Sequence, residues 1–439
     1  MRSRGMSRRD FLRLGGAVGV SLLGACGCAG ADGQEEGAEA GSVEWTTWGN
    51  PGEVERFTQF TEKFNRENEG ITVRFTPIPN VDEYDPRLFT EFLGGTGPDV
   101  FYTSDTNIGT WVEREIVSDL TDRLTGPESL SPPEEVPDRL WGGSRTPDGT
   151  YYGAPVDCNP YVFWYNKGVL REAGVDVEPA EMYERDEWNW DTFTEILDRV
   201  RGIGKTGFVQ GAPGPETFSW AVTNGGSIMD GERFVLHEDE RSVEAHRFMV
   251  ENLRNRNMVY AASLPGNQGP EALFLSNQVA FVTAGRWFLP VFSSAEGLEF
   301  DIVPWPTNTG RREPASVPSA YIVMSREAAD PDAAFRFLTS FISREGQIFR
   351  LQGGGNAVPS LEGADEVVLE GGQPGNARYF LEAREIGFAY PATLSSVPGL
   401  NTTMVDLLEP VFVTGGDVEE ALAIMGNEVN LRIQQQLQA

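Results

Sequence analysis

Near the start of the chain, strand and helix patterns alternate, and this restricts the fold more than any other feature. Val43-Glu-Trp-Thr-Thr-Trp48 reads as an opening strand, followed by the turn residues Gly49-Asn-Pro51. Val54, Phe57, Phe60 or Thr61, and Phe64 then recur at helical spacing, and Gly70 ends that helix. Ile71-Thr-Val-Arg-Phe75 alternates apolar and polar residues as a strand does. Strand, helix, strand in this order argues a parallel βαβ unit. A helix over Arg87–Leu93 and a strand Asp99-Val-Phe-Tyr102 continue the alternation, and a doubly wound α/β lobe follows. With 439 residues, 40% of them hydrophobic, the chain is long enough for two domains and can bury a core in each.

The stretch Tyr151-Tyr-Gly-Ala-Pro-Val-Asp-Cys-Asn-Pro-Tyr-Val-Phe-Trp-Tyr-Asn-Lys-Gly168 marks the passage from one lobe to the next. It opens as a glycine-and-proline turn, becomes an aromatic strand over Tyr161–Tyr165, and leads into a short helix from Val169 to Gly174. A crevice between two lobes is where a small-molecule site is expected. The run "YGAP…WYNKGVLREAGVD" resembles the "YG-P…YNK-hF-EAG" signature of family 1 extracellular solute-binding proteins of ABC transporters, the sugar-binding lipoproteins related to maltose-binding protein. Gly95-Thr-Gly-Pro-Asp-Val-Phe101 resembles the family's "GTGPDVF". Ser276-Asn-Gln-Val-Ala-Phe281 followed by Gly285-Arg-Trp287 resembles its "GKVAM…G-W", with Asn277-Gln278 for the usual Gly-Lys and Phe281 for the usual Met. The resemblance implies a two-lobed periplasmic-binding-protein-like type II fold, each lobe a doubly wound sheet flanked by helices, joined by hinge crossings. On this reading residues 43–157 and 304–343 form lobe 1, and residues 158–303 and 344–439 form lobe 2.

The first residues belong to export. Arg2, Arg4, Arg8, Arg9 and Arg13 form a positive region, and Ser7-Arg-Arg-Asp-Phe-Leu12 resembles the twin-arginine signal. The apolar stretch from Leu14 to Ala25 is shorter than the roughly 20 residues that span a bilayer. Leu23-Gly-Ala-Cys26 matches a lipobox, so residues 1–25 read as a signal peptide, Cys26 as the lipidation site and residues 26–42 as a flexible tether rich in Ala, Gly and Glu. The expected location is extracytoplasmic, lipid-anchored to a membrane. The formal charge of −31 rests on 66 acids against 35 bases, of which only Lys63, Lys167 and Lys205 are lysines. Nucleic acid and anionic membrane surfaces need a basic face and are disfavoured as partners. The acidity fits a solvated shell suited to salty surroundings; the competing reading is attraction of a cationic ligand.

Further along, Asn189 caps a helix carrying Phe193, Ile196, Leu197 and Val200. Phe300-Asp-Ile-Val-Pro-Trp-Pro306 is extended but broken by prolines, which fits a second crossing; a third is expected near Ser343. Asp330-Pro331 and Asp417-Val-Glu-Glu420 open helices. A pyranose has apolar C–H faces and a rim of hydroxyls, so its site needs aromatic rings with carboxylates, amides or guanidinium groups. Ligand-facing residues gather at carboxyl ends of strands, which selects Trp48 and Asn50 after the first strand and Asp105 and Asn107 after the strand ending at Tyr102. The resemblance supports Trp48 and Asp105 and adds Trp287, where the family tryptophan stacks on sugar, with Arg286 beside it as a rim donor. Tyr161, Trp220 and Asn356 complete the candidate set.

His237 and His246 are the only histidines, which argues for neither a metal centre nor a His-dependent nucleophilic triad. No catalytic residue, cofactor or metal is expected. The reading is a substrate-binding protein that closes two lobes over a carbohydrate and passes it to permease subunits. The alternatives are the same fold holding another solute, such as a polyamine, a receptor that feeds a signalling partner, or an exported glycosidase.

Overall fold

The computed structural model describes residues 41–146, 148–265 and 269–438. The export signal, the lipobox with Cys26 and the tether up to Ala40 lie outside the described residues. Among the described residues the strands are β1 (Ser42–Thr46), β2 (Thr72–Phe75), β3 (Val100–Ser104), β4 (Ala154–Cys158), β5 (Val162–Asn166), β6 (Thr206–Gln210), β7 (Met229–Asp230), β8 (Arg233–Phe234), β9 (Met258–Tyr260), β10 (Val279–Ala284), β11 (Phe300–Val303) and β12 (Ser319–Met324). They form two five-stranded mixed sheets, β2-β1-β3-β12-β4 and β11-β5-β10-β6-β9, with β7 and β8 as a small ribbon. Helices flank both sheets, so the fold is the two-lobed α/β architecture expected from the alternation.

The first sheet begins with the βαβ unit read from sequence. β1 pairs in parallel with β2 and β3, and the helix Pro51–Glu67 crosses between them, burying Phe57, Phe60, Thr61 and Phe64. Trp45 of β1 is fully buried, and its indole N–H donates to Thr61 Oγ1 at 3.0 Å, so this core side chain leaves no polar atom unpaired. The parallel run stops at β12, which lies antiparallel between β3 and β4. In the second sheet β10, β6 and β9 are parallel, while β5 and β11 run antiparallel at one side. β11 is the edge strand and ends immediately before Pro304, which is where the sequence placed a break.

Two expectations are corrected. The stretch around Gly153 and Pro155, read as a turn, contains β4. Its proline is tolerated because β4 is an edge strand, and the pairing shifts register where Ala320 and Tyr321 meet it. The crossing expected near Ser343 is instead a helix cap. Ser343 Oγ accepts from Gly346 N at 3.1 Å and starts the helix Arg344–Leu351, which packs on the helices Pro51–Glu67 and Pro331–Ile342 beside the first sheet.

The chain from Ala40 onward forms one compact unit, and backbone hydrogen bonds lace its crossing segments together. Asn159 N donates to Pro318 O at 2.9 Å, Tyr161 N to Ser316 O at 3.0 Å, Val317 N to Phe388 O at 2.8 Å and Cys158 N to Val358 O at 2.8 Å. Four segments distant in sequence thus meet at the hinge. Cys158 is buried there, and burial pushes its thiol far above the usual range, so it is an inert packed side chain.

Candidate functional site

Asn50 and Asn107 sit at helix starts. Asn50 Oδ1 accepts from Gly52 N and Glu53 N at 3.0 and 3.1 Å, and Glu53 Oε2 returns the bond by accepting from Asn50 N at 2.6 Å. This capping box uses the Asn50 side chain fully as an acceptor. The second carboxylate oxygen of Glu53 accepts from Asn356 Nδ2. Burial holds the Glu53 carboxyl above the ordinary range, against the lowering effect of its Asn50 and Asn356 bonds, with Asp157 adding a further upward push. Asn107 Nδ2 donates to Asp85. Trp48, half-buried, lies edge-to-face on Tyr84 and Tyr102 with centroids 5.0 and 5.6 Å apart.

Asp105 follows β3 and is 4% exposed. Its Oδ2 accepts from Ser319 N at 3.2 Å, and burial outweighs this bond, raising the carboxyl to about 7. Glu216, at the start of the helix Pro215–Thr223, accepts from Gln210 Nε2 and Gly211 N at 2.7 and 2.8 Å. It too is raised to about 7, chiefly by desolvation. Burial, then the charges of Glu216 and Asp105, push the Tyr161 phenol above its usual range, so one aromatic ring at the hinge lies near both carboxyls. That ring stands edge-to-face on Trp287 at 5.6 Å. Gly285 is required beneath it, because a Cβ there would collide with the Trp287 ring and Asn159.

Two expected contacts sit elsewhere. Arg286 is fully buried; its guanidinium donates to Ala357 O and Val367 O, both at 3.1 Å, and burial lowers it to about 10. It ties β10 to the segment after the helix Arg344–Leu351 and has no exposed face to offer a ligand rim. Trp220 is also fully buried, edge-on to Trp305 and Phe163, and its indole N–H donates to Gln210 Oε1 at 3.0 Å. Because the same Gln210 amide donates to Glu216, Trp220 bears on the site by orienting that carboxyl.

The structure therefore assembles two adjoining groups. Trp48, Tyr102, Glu53, Asn356 and Asp157 form one; Asp105, Tyr161, Trp287 and Glu216 form the other. Sequence reasoning missed Glu53 and Glu216, since an acid in the first turn of a helix reads as a cap or as a response to the helix dipole. The Glu53 and Glu216 carboxyls are held by neutral donors. Such groups can accept from hydroxyls beside exposed ring faces, which is polar clasping with stacking. Among the described residues, no group of three or more His, Cys, Asp and Glu side chains could hold a metal ion, and no helix is long and apolar enough to cross a membrane.

The raised Asp105 has a measurable consequence. An unfolded Asp titrates near 3.9, so as pH rises from about 4 to about 7 the unfolded chain ionises first and the folded state is progressively disfavoured; above 7 the penalty is constant. The stability of Asp105→Asn relative to the parent is therefore expected to be more favourable at pH 8 than at pH 4, by on the order of 2–4 kcal/mol. Urea midpoints at the two pH values check this; an equal difference at both removes the buried-carboxyl account.

Two mixed sheets and the segments that cross between them define a periplasmic-binding-type fold. The family model for bacterial extracellular solute-binding proteins matches residues 49–348, and the chain belongs to that family. A Brucella abortus chain named only as a binding protein is 26% identical over 164 residues, 36% of this chain and 36% of its own length, so the match spans about a third of that relative. The Listeria monocytogenes ABC substrate-binding protein in complex with cycloalternan superposes with a TM-score of 0.78 at 21% identity, covering 90% of this chain and 99% of that one. The receptor of Streptomyces glaucescens studied with acarbose gives 0.75 at 18%, covering 90% and 99%.

Proposed function

We propose that this protein is a membrane-tethered, extracytoplasmic receptor that closes over a carbohydrate and delivers it unaltered to the permease of an ABC transporter. The observation that carries the reading is the edge-to-face Tyr161–Trp287 pair, whose phenol is pushed upward by burial and then by the charges of Glu216 and Asp105: rings for C–H faces, acceptors for hydroxyls. Family membership and the likeness to structures solved with cycloalternan and acarbose support it. Residues 1–25 act as the signal and Cys26 as the anchor, with the tether leading into β1. The lobes hinge where residues 158–161 and 304–318 cross. Holding is the whole task, so the ligand stabilises the closed form by its differential affinity alone.

Titration of the exported domain with maltotriose, cellotriose, xylotriose and arabinotriose, followed by tryptophan fluorescence, is expected to give a saturable change with at least one of them. Chromatography of the incubated sugar is expected to return it intact. Shortened products point to a glycosidase instead; a response to spermidine but to none of the sugars points to a polyamine receptor.

A further inference from the structure

A groove of about 560 Å³ lies at the foot of the first sheet, at the opposite end of its strands from Trp48 and Asp105. Those two residues follow the ends of β1 and β3, whereas the groove opens where β3 begins. Met324, the last residue of β12, pairs with Val100, and Ser325 N donates to Asp99 O at 2.8 Å. Residues 325–327 form one wall, the last turn of the helix Val81–Leu93 forms the other, and residues 114–116, just past the helix Ile108–Glu113, join the two.

Three properties of this groove point to one partner. The first is its apolar strip. Leu93 is 88% exposed, more than any other large apolar side chain among the described residues, and Phe89, Phe92 and Ile116 beside it are only half-buried. Phe89 stacks on the buried Trp111 at 4.1 Å, and the Arg114 guanidinium carbon lies 4.6 Å from its ring centroid. The strip is contiguous and rimmed by polar groups, as interaction surfaces are.

The second property is charge. Arg114 and Arg326 stand against Glu115 and Glu327, with Arg326 Nη1 3.3 Å from Glu115 Oε2, so the rim is balanced in a molecule of formal charge −31. A second copy would bring the same large negative charge and be repelled. A zwitterionic lipid surface carries both signs at its headgroups and an apolar layer beneath them, which matches a balanced rim over an apolar floor.

The third is where the chain enters the fold. Gly41 N donates to Asp330 Oδ2 at 2.9 Å, three positions beyond the groove wall at Glu327. The Asp99 carboxylate ties the same corner, accepting from Glu44 N and Ala329 N, both at 2.8 Å. Cys26 stands fifteen positions before Gly41, at most about 54 Å of chain.

We infer that this groove is a lipid-contact face, which rests the protein on the zwitterionic surface of the membrane that anchors it, with the ligand cleft turned outward. This rests on the membrane-tethered reading above and adds an orientation to it. The contact is one protruding leucine with three half-buried neighbours, so it is weak and reversible, and the protein lifts from it to deliver its ligand.

The test supplies the tether artificially, so its outcome does not depend on lipidation of Cys26. The chain from Ala29 onward, bearing an N-terminal hexahistidine, is captured on phosphatidylcholine vesicles through nickel-chelating lipid; it lacks Cys26 and Cys28, and Cys158 is buried. A fluorophore is attached at Glu327→Cys on the groove or, for comparison, at Asp230→Cys on the β7–β8 ribbon, both exposed positions. Brominated phosphatidylcholine is expected to quench the groove label at least about threefold more than the ribbon label, and Leu93→Asp, a change that leaves the core untouched, is expected to remove the difference. Equal quenching at the two positions overturns the inference, as does a difference that persists in Leu93→Asp. A concentration-dependent dimer in vesicle-free solution that Leu93→Asp abolishes assigns the groove to a second copy and also overturns it. Absence of labelled palmitate on Cys26 in the producing cell overturns the tethered reading, a result obtained independently of the vesicles.

Discussion

Replacing Arg350 with alanine is expected to cost about 3–5 kcal/mol of folding stability, because it strands a buried carboxylate. Arg350 is 1% exposed and Asp157 is 7% exposed. One guanidinium nitrogen lies 3.2 Å from Asp157 Oδ2; the other donates to Val156 O at 2.8 Å and to Phe341 O at 3.4 Å. The guanidinium carbon sits 3.9 Å from the Phe341 ring centroid, adding a cation–π contact to the ion pair. Asp157 is held above the ordinary carboxylate range by burial even with Arg350 beside it, so without the arginine its pKa climbs further. A carboxyl raised in the folded state favours folding below its unfolded pKa and loses that advantage as pH rises. The loss caused by Arg350→Ala is accordingly expected to be smaller at pH 5 than at pH 8. Pairing the change with Asp157→Asn is expected to recover part of it, the signature of a coupled pair. Denaturant midpoints read both effects; a loss below about 1 kcal/mol, the range of an exposed pair, removes the buried-pair account.

The second large effect is on binding. Trp287→Ala is expected to weaken saccharide affinity about 30- to 100-fold, or roughly 2–3 kcal/mol, as removal of an aromatic anchor does. The ring is half-buried, braced on one side by Tyr161 and lying over Gly285. Because the bracing is edge-to-face, a face remains for a ligand, and little ordering entropy is spent on binding. Trp287→Phe is expected to retain most of the affinity. Calorimetric titration with the sugar that responds in the panel checks both; an unchanged affinity in a folded Trp287→Ala takes this residue out of the site.

The lobe frame was legible because it depends on local patterns. Phe57, Phe60 and Phe64 recur at helical spacing, and Asn189 and Asp330 stand where their side chains accept from first-turn N–H groups. The site was legible only in part. Trp48 meets Tyr102, Asn356 bonds Glu53 and Tyr161 meets Trp287, whereas Trp220 and Arg286 are drawn into the interior. Sequence assigns a tryptophan or arginine to a neighbourhood, but whether it faces outward depends on packing partners such as Trp305 or the Ala357 carbonyl, far away in the chain.

Sequence alone determined the class of fold and the family, since alternation, caps and glycine turns act over a few residues and four motifs in order span the chain. Only the tertiary structure decided which polar groups are desolvated. Glu53 bonds Asn356, Arg350 neutralises Asp157, and Ser395 rests on Gly109, contacts across 303, 193 and 286 positions. No local rule reaches that far. Burial and charge proximity are properties of the packed chain, and it is packing that brings the first-turn Glu53 against Asn356 and desolvates it.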